Sequence, residues 1–287
     1  MKMLLELGRV SNLPTVATNF LAGAALAGAL VFDVRALAGV IAMALFYEAG
    51  MFLNDAFDRH FDAEHRPDRP IPSGRISAVA VFGTGFAMMA AGIAALAWVG
   101  LTAEGGTGWL APAWALGLAA AIIAYDAWHK SNPLSPFFMG LCRMFVYLTA
   151  AATMSAEFSD KALIGAALAL SYLIGLTYVA KQEHLASFKG GWPLIFIGVP
   201  FVWLAMEVLH TPSGIAIFAG FAVWVLYALS FLVRKGEGHV PKAVISLIAG
   251  ICLLDALLVV SAGHPMAAWA CVVGFVLTLG GQRFVSG

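Results

Sequence analysis

The feature that most constrains this chain is a series of long apolar stretches that contain almost no charge. A bilayer's hydrocarbon core is about 30 Å thick, so a helix rising about 1.5 Å per residue crosses it in about 20 residues. The 287-residue chain is 61% hydrophobic and 11% charged, whereas soluble domains are roughly 25% charged. The sequence lacks the short alternating segments that transmembrane β-barrels need. It therefore predicts an all-α, polytopic transmembrane bundle.

Ten of these stretches are predicted to span the membrane. They cover residues 12–32, 36–54, 77–99, 109–127, 135–156, 161–181, 192–210, 213–233, 241–261 and 265–283. The weak break at Gly263-His264-Pro265 leaves a re-entrant turn open as an alternative for the last one. Because the sequence contains no soluble appendage between these spans, we expect residues 1–287 to form a single transmembrane domain.

Lysine and arginine are distributed unevenly between the two predicted sides of the membrane. Of the 16 Lys and Arg residues, all but Arg35 and Lys161 lie on the side of the N-terminus. Positive charge accumulates on the cytosolic side, so the sequence predicts a multi-pass protein of the cell (inner) membrane with a cytosolic N-terminus. The 16 acidic residues balance the basic ones, which argues against a nucleic-acid partner.

An acidic run closes the second predicted span. Asn54 and Asp55 are followed by Asp58 and Asp62, and this i, i+3, i+7 spacing puts the three aspartates on one helix face. Three like charges near a membrane repel each other unless a cation joins them. Mg²⁺ binds oxygen ligands and takes one or two carboxylates together with water and phosphate oxygens. The three aspartates are therefore predicted metal ligands, with a phosphorylated ligand completing the site.

A basic, proline-rich run follows the aspartates. Residues 66–75 contain three arginines and three prolines, and the guanidinium group is the natural bidentate partner of phosphate. The general excess of positive charge on the cytosolic side would explain the three arginines. It would not explain the three prolines that stiffen the chain between them. We therefore interpret Arg69 as a ligand of a diphosphate.

Together these two elements form a recognisable motif. The pattern Asn54-Asp55-x-x-Asp58-x-x-x-Asp62, followed by RPIPSGRI at 69–76, resembles the UbiA family of intramembrane prenyltransferases. The resemblance implies a bundle of nine to ten helices around a central cavity open to the lipid. It also implies Mg²⁺ as cofactor and two aspartate-rich motifs that hold a polyprenyl diphosphate.

The resemblance extends along nearly the whole chain. The opening segment around Arg9 and Asn19 is similar to the family's first helix. Tyr125, with Lys130 and then Arg143, resembles its Tyr-x-x-x-Lys-Arg region, although His129 stands where lysine is usual. By this resemblance the substrate-binding residues are Arg9, Asn19, Asn54, Arg69, Tyr125, Arg143 and Tyr178.

The second aspartate-rich motif of the family is absent from its expected place near 177–187. That stretch contains Tyr178, Lys181 and Glu183 but no aspartate, and it looks most like the EboC-like branch of the family. We hypothesise one Mg²⁺, with the positive charge of Lys181 in place of a second ion. The predicted catalytic residues are thus Asp55, Asp58, Asp62, Lys130, Lys181 and Glu183.

The function that follows is Mg²⁺-dependent prenyl transfer. A prenyl group passes from an allylic diphosphate to a lipophilic, aromatic acceptor within the membrane. The alternatives left open are a transport-type or non-catalytic binder of a phosphorylated isoprenoid lipid on the same fold. Besides the polyprenyl diphosphate donor and the lipophilic acceptor, we expect membrane lipid as a partner.

Overall fold

The computed structural model describes residues 7–130, 132–182, 190–234 and 238–284. In these ranges the chain is helical, with eleven α-helices and no strand. The helices are α1 Leu13–Leu26, α2 Val34–Phe57, α3 Arg59–His65, α4 Ala78–Thr102, α5 Leu110–Trp128, α6 Ser135–Met154, α7 Asp160–Ala180, α8 Ile195–Val208, α9 Pro212–Ser230, α10 His239–Ser261 and α11 Ala268–Phe284.

The predicted all-α transmembrane bundle is confirmed. Each of the ten predicted spans coincides with one helix, and the additional helix is the short α3 at the end of the second span. Within the described residues, seven helices are long and apolar enough to cross a membrane. The last predicted span is the 17-residue helix α11, which packs on α10 and α1. The chain is an integral membrane protein.

Polar caps set the first turns of several helices. The Asp33 carboxylate accepts hydrogen bonds from the backbone N–H groups of Arg35 and Ala36 at the start of α2. Ser77 and Ser159 cap α4 and α7 in the same way. A cap satisfies N–H groups that have no partner inside the helix, so these residues fix where apolar helices begin.

Helices α1 and α10 lie in the centre of the bundle. Helix α1 packs on α6, α10, α11 and α2, while α2 packs on α4 and α6 packs on α5 and α7. Small residues allow close approach. A side chain at Gly23 would lie 2.6 Å from the carbonyl oxygen of Tyr147, so α1 and α6 touch almost backbone to backbone, as membrane helices do.

The loop between α3 and α4 is folded against the helix ends. Ile71 and Ile76 pack on a small apolar cluster that includes Leu7 and Phe52. The Ser73 hydroxyl donates to the Arg69 carbonyl at 2.6 Å. This docking fixes the backbone of Arg69 over the end of α2, where the acidic run lies.

Candidate active site

The three aspartates of the acidic run lie at a break between two helices. Asp55 is in the last turn of α2, Asp58 follows its end, and Asp62 lies in α3. The backbone N–H of Asp58 donates to the Asn54 carbonyl and that of Asp62 to the Asp58 carbonyl, both at 2.9 Å. The chain thus stays helix-like across the break, and all three carboxylates are buried.

Arg69 joins two of these carboxylates. Its Nη1 lies 2.7 Å from Asp55 Oδ1 and 3.2 Å from Asp62 Oδ2. Asp62 is 1% exposed, and its Oδ1 is buried without a hydrogen-bond partner. One guanidinium nitrogen therefore compensates two buried negative charges and leaves one carboxylate oxygen unused.

The third carboxylate faces the end of α5. Lys130 Nζ lies 2.9 Å from Asp58 Oδ2, and His129 Nε2 lies 3.5 Å from the same oxygen. Burial alone would raise the pKa of Asp58, but the hydrogen bonds from His129 and Lys130 outweigh it and lower the pKa below its usual value. Lys130 also lies 3.6 Å from the centre of the Phe61 ring. Tyr125 stacks on His129, so the predicted Tyr125 and Lys130 lie at the same site.

Asp126 is a site residue that the sequence analysis missed. It lies in the last turn of α5 and is 5% exposed. The Asn54 amide donates to its Oδ1 at 3.1 Å, and its Oδ2 is buried without a hydrogen-bond partner. The signal was available, because an ionisable residue inside a predicted span marks a functional site by default, and Asp126 falls within 109–127.

Arg9 approaches the site from the N-terminal segment. It has a left-handed backbone conformation, with φ 46°, and its carbonyl accepts from the Tyr47 hydroxyl at 3.4 Å. Its positive charge acts on both Asp55 and Asp126. In the part of the chain that the structure describes, its guanidinium forms no ion pair.

Asn19 and Arg143 lie deeper, in a network around Asp255. The Arg143 guanidinium donates to Asn19 Oδ1, and the Asn19 amide donates to both oxygens of Asp255 at 2.9 and 2.7 Å. Thr18 and Tyr147 also donate to this carboxylate, which is 0% exposed. The network orients Arg143 through Asn19 and connects α1, α6 and α10.

Tyr178 lies in the last turn of α7, and Lys181 follows the end of that helix. Lys181 Nζ donates to the Asn132 carbonyl at 2.8 Å and to the Ser135 hydroxyl at 2.9 Å, at the start of α6. Burial lowers the pKa of Lys181. The Tyr178 ring packs beside Trp192. Glu183 lies outside the described residues.

Two apolar spaces adjoin the site. A cavity of about 100 Å³ is lined by Tyr47, Tyr125, Asp126 and Arg143 among other residues. A larger groove of about 980 Å³ runs between α1, α2 and α11, from Leu13 near the site end to Phe32 at the far end. Val16 lines both. Leu37, Val273 and Leu277 line the groove and are exposed on the sides of α2 and α11, so the groove opens sideways to lipid.

The residues at the site fit a Mg²⁺ ion that is coordinated mainly by the phosphate oxygens of a bound substrate and by water. No group of three or more His, Cys, Asp or Glu side chains is close enough to hold a metal among the residues described. Mg²⁺, however, needs only one or two carboxylates when phosphate and water supply the rest. Asp55 and Asp62 share one guanidinium, and Asp62 offers an unused buried oxygen. These two residues would hold the ion.

The helices are long enough to cross a bilayer and pack into one bundle. The charged site lies at one end of that bundle, so the fold and the site define an integral membrane protein with a polar site at one membrane face. The chain belongs to the UbiA prenyltransferase family, whose model matches residues 16–234. This membership confirms the resemblance and supports the prediction of a prenyltransferase.

Curated relatives match over a limited region. Digeranylgeranylglyceryl phosphate synthase of Methanopyrus kandleri is 43% identical over 77 residues, which is 27% of this chain and 28% of that protein. The enzyme of the same name from Methanothrix thermoacetophila is 44% identical over 75 residues, 26% and 28% of the two chains. The chain thus matches little more than a quarter of the length of these relatives.

Solved structures of the family share the fold over most of the chain. A UbiA homologue from Aeropyrum pernix K1 superposes with a TM-score of 0.67 at 16% identity and covers 87% of this chain and 97% of its own. A UbiA homologue from Archaeoglobus fulgidus bound to DMAPP and Mg²⁺ gives a TM-score of 0.64 at 13% identity, with 92% and 99% covered. At these identities the likeness establishes the fold.

Proposed function

We propose that this protein is a Mg²⁺-dependent prenyltransferase that moves a prenyl group from an allylic diphosphate to a lipophilic, ring-bearing acceptor in the membrane. The observation that carries the proposal is the position of Asp55, Asp62 and Arg69 beside the pair Asp58–Lys130. Acidic and basic groups meet there at the end of an apolar bundle, which suits a metal-bound diphosphate on a hydrocarbon tail.

The basic residues would stabilise the charge that develops on the leaving group. As the allylic C–O bond breaks, negative charge grows on the diphosphate, and donors aimed at that charge lower the barrier. Arg69 pairs with Asp55 and Lys130 pairs with Asp58, and Arg9 adds a cation without an ion-pair partner among the described residues. Bound Mg²⁺ supplies further charge neutralisation of the diphosphate.

The apolar spaces would hold the reacting hydrocarbon. The groove between α1, α2 and α11 runs along the bundle and opens to lipid, so it suits an isoprenoid tail. The smaller cavity, with Tyr47 and Tyr125 in its wall, suits the reacting end of the acceptor. A dry cavity also protects an allylic cation from water. Aromatic faces stabilise positive charge.

The site would face the cytosol. It lies at the end of the bundle that contains the N-terminal segment, the 66–76 loop and Lys130, which is the side with nearly all lysines and arginines. We propose the cell (inner) membrane as the location, with donor and acceptor both dissolved in it.

A second candidate acceptor comes from the curated relatives. Their name denotes a synthase of a glyceryl phosphate carrying two geranylgeranyl groups, and their identity to this chain over the matched region is above 40%. A glyceryl phosphate acceptor would use the same donor half of the site. A protein that only binds the isoprenoid lipid would release no inorganic diphosphate, whereas a prenyltransferase would release it with either acceptor.

The test uses purified protein in nanodiscs with allylic diphosphates of increasing length, Mg²⁺ and a panel of ring-bearing and glyceryl phosphate acceptors. We expect inorganic diphosphate and a prenylated product in equal amounts. Asp62→Asn should lower the rate by about 100-fold, whereas Glu64→Gln, an exposed residue on the same short helix, should match the wild type. Donor binding without diphosphate release would identify a binder and refute the enzyme.

A further inference from the structure

We propose that Asp126 accepts the proton that the acceptor loses when it is prenylated, and that it selects acceptors presenting a neutral hydroxyl group. This inference rests on the proposed prenyl transfer and names the substrate class of the same site. Its starting point is a buried carboxylate that neither the acidic run nor the family motif includes.

The geometry of Asp126 leaves one oxygen for a ligand. The Asn54 amide donates to Oδ1 at 3.1 Å and holds the side chain in one orientation. Oδ2 is buried and has no hydrogen-bond partner. Leaving a buried carboxylate oxygen without a donor is costly, so a donor from a ligand would recover that cost.

The other site carboxylates already have cations. Asp55 and Asp62 contact Arg69, and Asp58 contacts Lys130. Among the described residues, Asp126 forms no ion pair. The charged groups that act on it are Asp55, Asp58 and Arg9, which leaves it beside two negative charges and one positive charge.

Asp126 lies in the wall of the cavity that suits the acceptor. Tyr47, Tyr125 and Cys142 line the same space, and Arg143 borders it while donating to Asn19. An acceptor seated there meets a mainly apolar wall with one carboxylate and with the Arg143 guanidinium, which is already bonded to Asn19. A hydroxyl group donates a hydrogen bond to that carboxylate, whereas a phosphate in the same position would be repelled.

The chemistry balances without a further reactant. The C1–O bond of the donor breaks, and its electron pair leaves with the diphosphate. The acceptor's hydroxyl oxygen forms the new bond to C1, and its proton passes to Oδ2 of Asp126. That proton then leaves to water when the product departs, which restores the carboxylate. General-base help of this kind contributes typically 10²–10⁴-fold.

The test compares wild type with Asp126→Asn, which keeps the shape and loses the base. The control is Asp68→Asn, an exposed carboxylate in the 66–76 loop. The donor is dimethylallyl diphosphate, and the acceptors are a long-chain dihydric phenol and its phosphate monoester, which keeps one free hydroxyl group. We measure donor binding with a non-ionisable diphosphate analogue, diphosphate release, and product by mass spectrometry.

We expect Asp126→Asn to bind the donor analogue within twofold of wild type and to lose about 100-fold of its product formation with the phenol. Wild type should prefer the phenol to the phosphate monoester. If Asp126→Asn forms prenylated phenol within threefold of the wild-type amount, the inference about Asp126 is wrong and the proposed prenyl transfer is unaffected. Wild type that releases no diphosphate with any acceptor overturns both. Should Asp126→Asn fail to fold, wild-type preference for the phosphate monoester overturns the inference independently.

Discussion

Arg69→Met should reveal how the two carboxylates coexist. In the structure one guanidinium nitrogen contacts Asp55 and Asp62 at 2.7 and 3.2 Å, so the two carboxylate oxygens are close neighbours. At a separation of roughly 6 Å and an effective dielectric constant of ~20, two unit charges repel by about 3 kcal/mol. Methionine keeps the bulk of the side chain and removes the compensating charge.

The assay is thermal unfolding in detergent, with and without Mg²⁺. A loss of this size lowers the Tm on the order of 5 °C. Mg²⁺ should raise the Tm of Arg69→Met more than that of wild type, because the ion replaces the missing charge and binds only the folded site. Arg66→Met, an exposed arginine of the same loop, is the matched control.

Two results would refute this reasoning. Equal Tm values for Arg69→Met and Arg66→Met would mean that the carboxylates do not depend on Arg69. An equal response of wild type and Arg69→Met to Mg²⁺ would mean that the ion binds away from Asp55 and Asp62.

Three further predictions concern stability and pH. Asp255→Ala should lower the free energy of unfolding by about 3 kcal/mol, because it leaves the buried donors of Thr18, Asn19 and Tyr147 without an acceptor; chemical unfolding measures this. Lys181→Met should cost about 1 kcal/mol and leave the KM for the donor unchanged, as steady-state kinetics will show. Burial tends to raise the pKa of Asp33, but its hydrogen bonds to Arg35 and the backbone lower it below 3.8. The Tm difference between wild type and Asp33→Ala should therefore be full at neutral pH and vanish as the pH falls through that lowered pKa.

Each of these three has a clear contrary outcome. An Asp255→Ala protein as stable as wild type would make the buried network dispensable. A raised KM in Lys181→Met would place Lys181 at the diphosphate, as the sequence alone had led us to hypothesise. A Tm difference for Asp33→Ala that persists in strong acid would assign its effect to packing rather than charge.

The sequence predicts the helices well because each span carries its own signal. Apolar length locates ten helices, and the spacing of Asp55, Asp58 and Asp62 locates the acidic cluster. Neither signal reports how the helices are rotated against each other. That rotation decides that Arg69 pairs with Asp55 and Asp62 while Lys130 pairs with Asp58. The pairing depends on tertiary contacts, and no local pattern encodes it.

Asp126 and Lys181 show how far the sequence predicts the surroundings of single site residues. Asp126 is an acidic residue at the end of a predicted span, and that position is a sufficient signal of a functional site. That Lys181 supplies positive charge at the diphosphate stays a prediction; its ammonium group donates to the Asn132 carbonyl and the Ser135 hydroxyl at the start of α6. The fold turns that stretch toward a neighbouring helix, which the order of residues does not reveal.

The contact of Asn19 with Asp255 has a consequence for biogenesis. The two residues are 236 positions apart, so Asn19 enters the bilayer long before its partner is translated. At about 5–20 residues per second, that interval is on the order of 10–50 s. Throughout it, the Asn19 N–H groups of the first helix lack their carboxylate partner, which lipid does not replace. Nascent chains that stop before α10 should therefore be retained by the insertion machinery or degraded, and a late span completes the assembly of an early one.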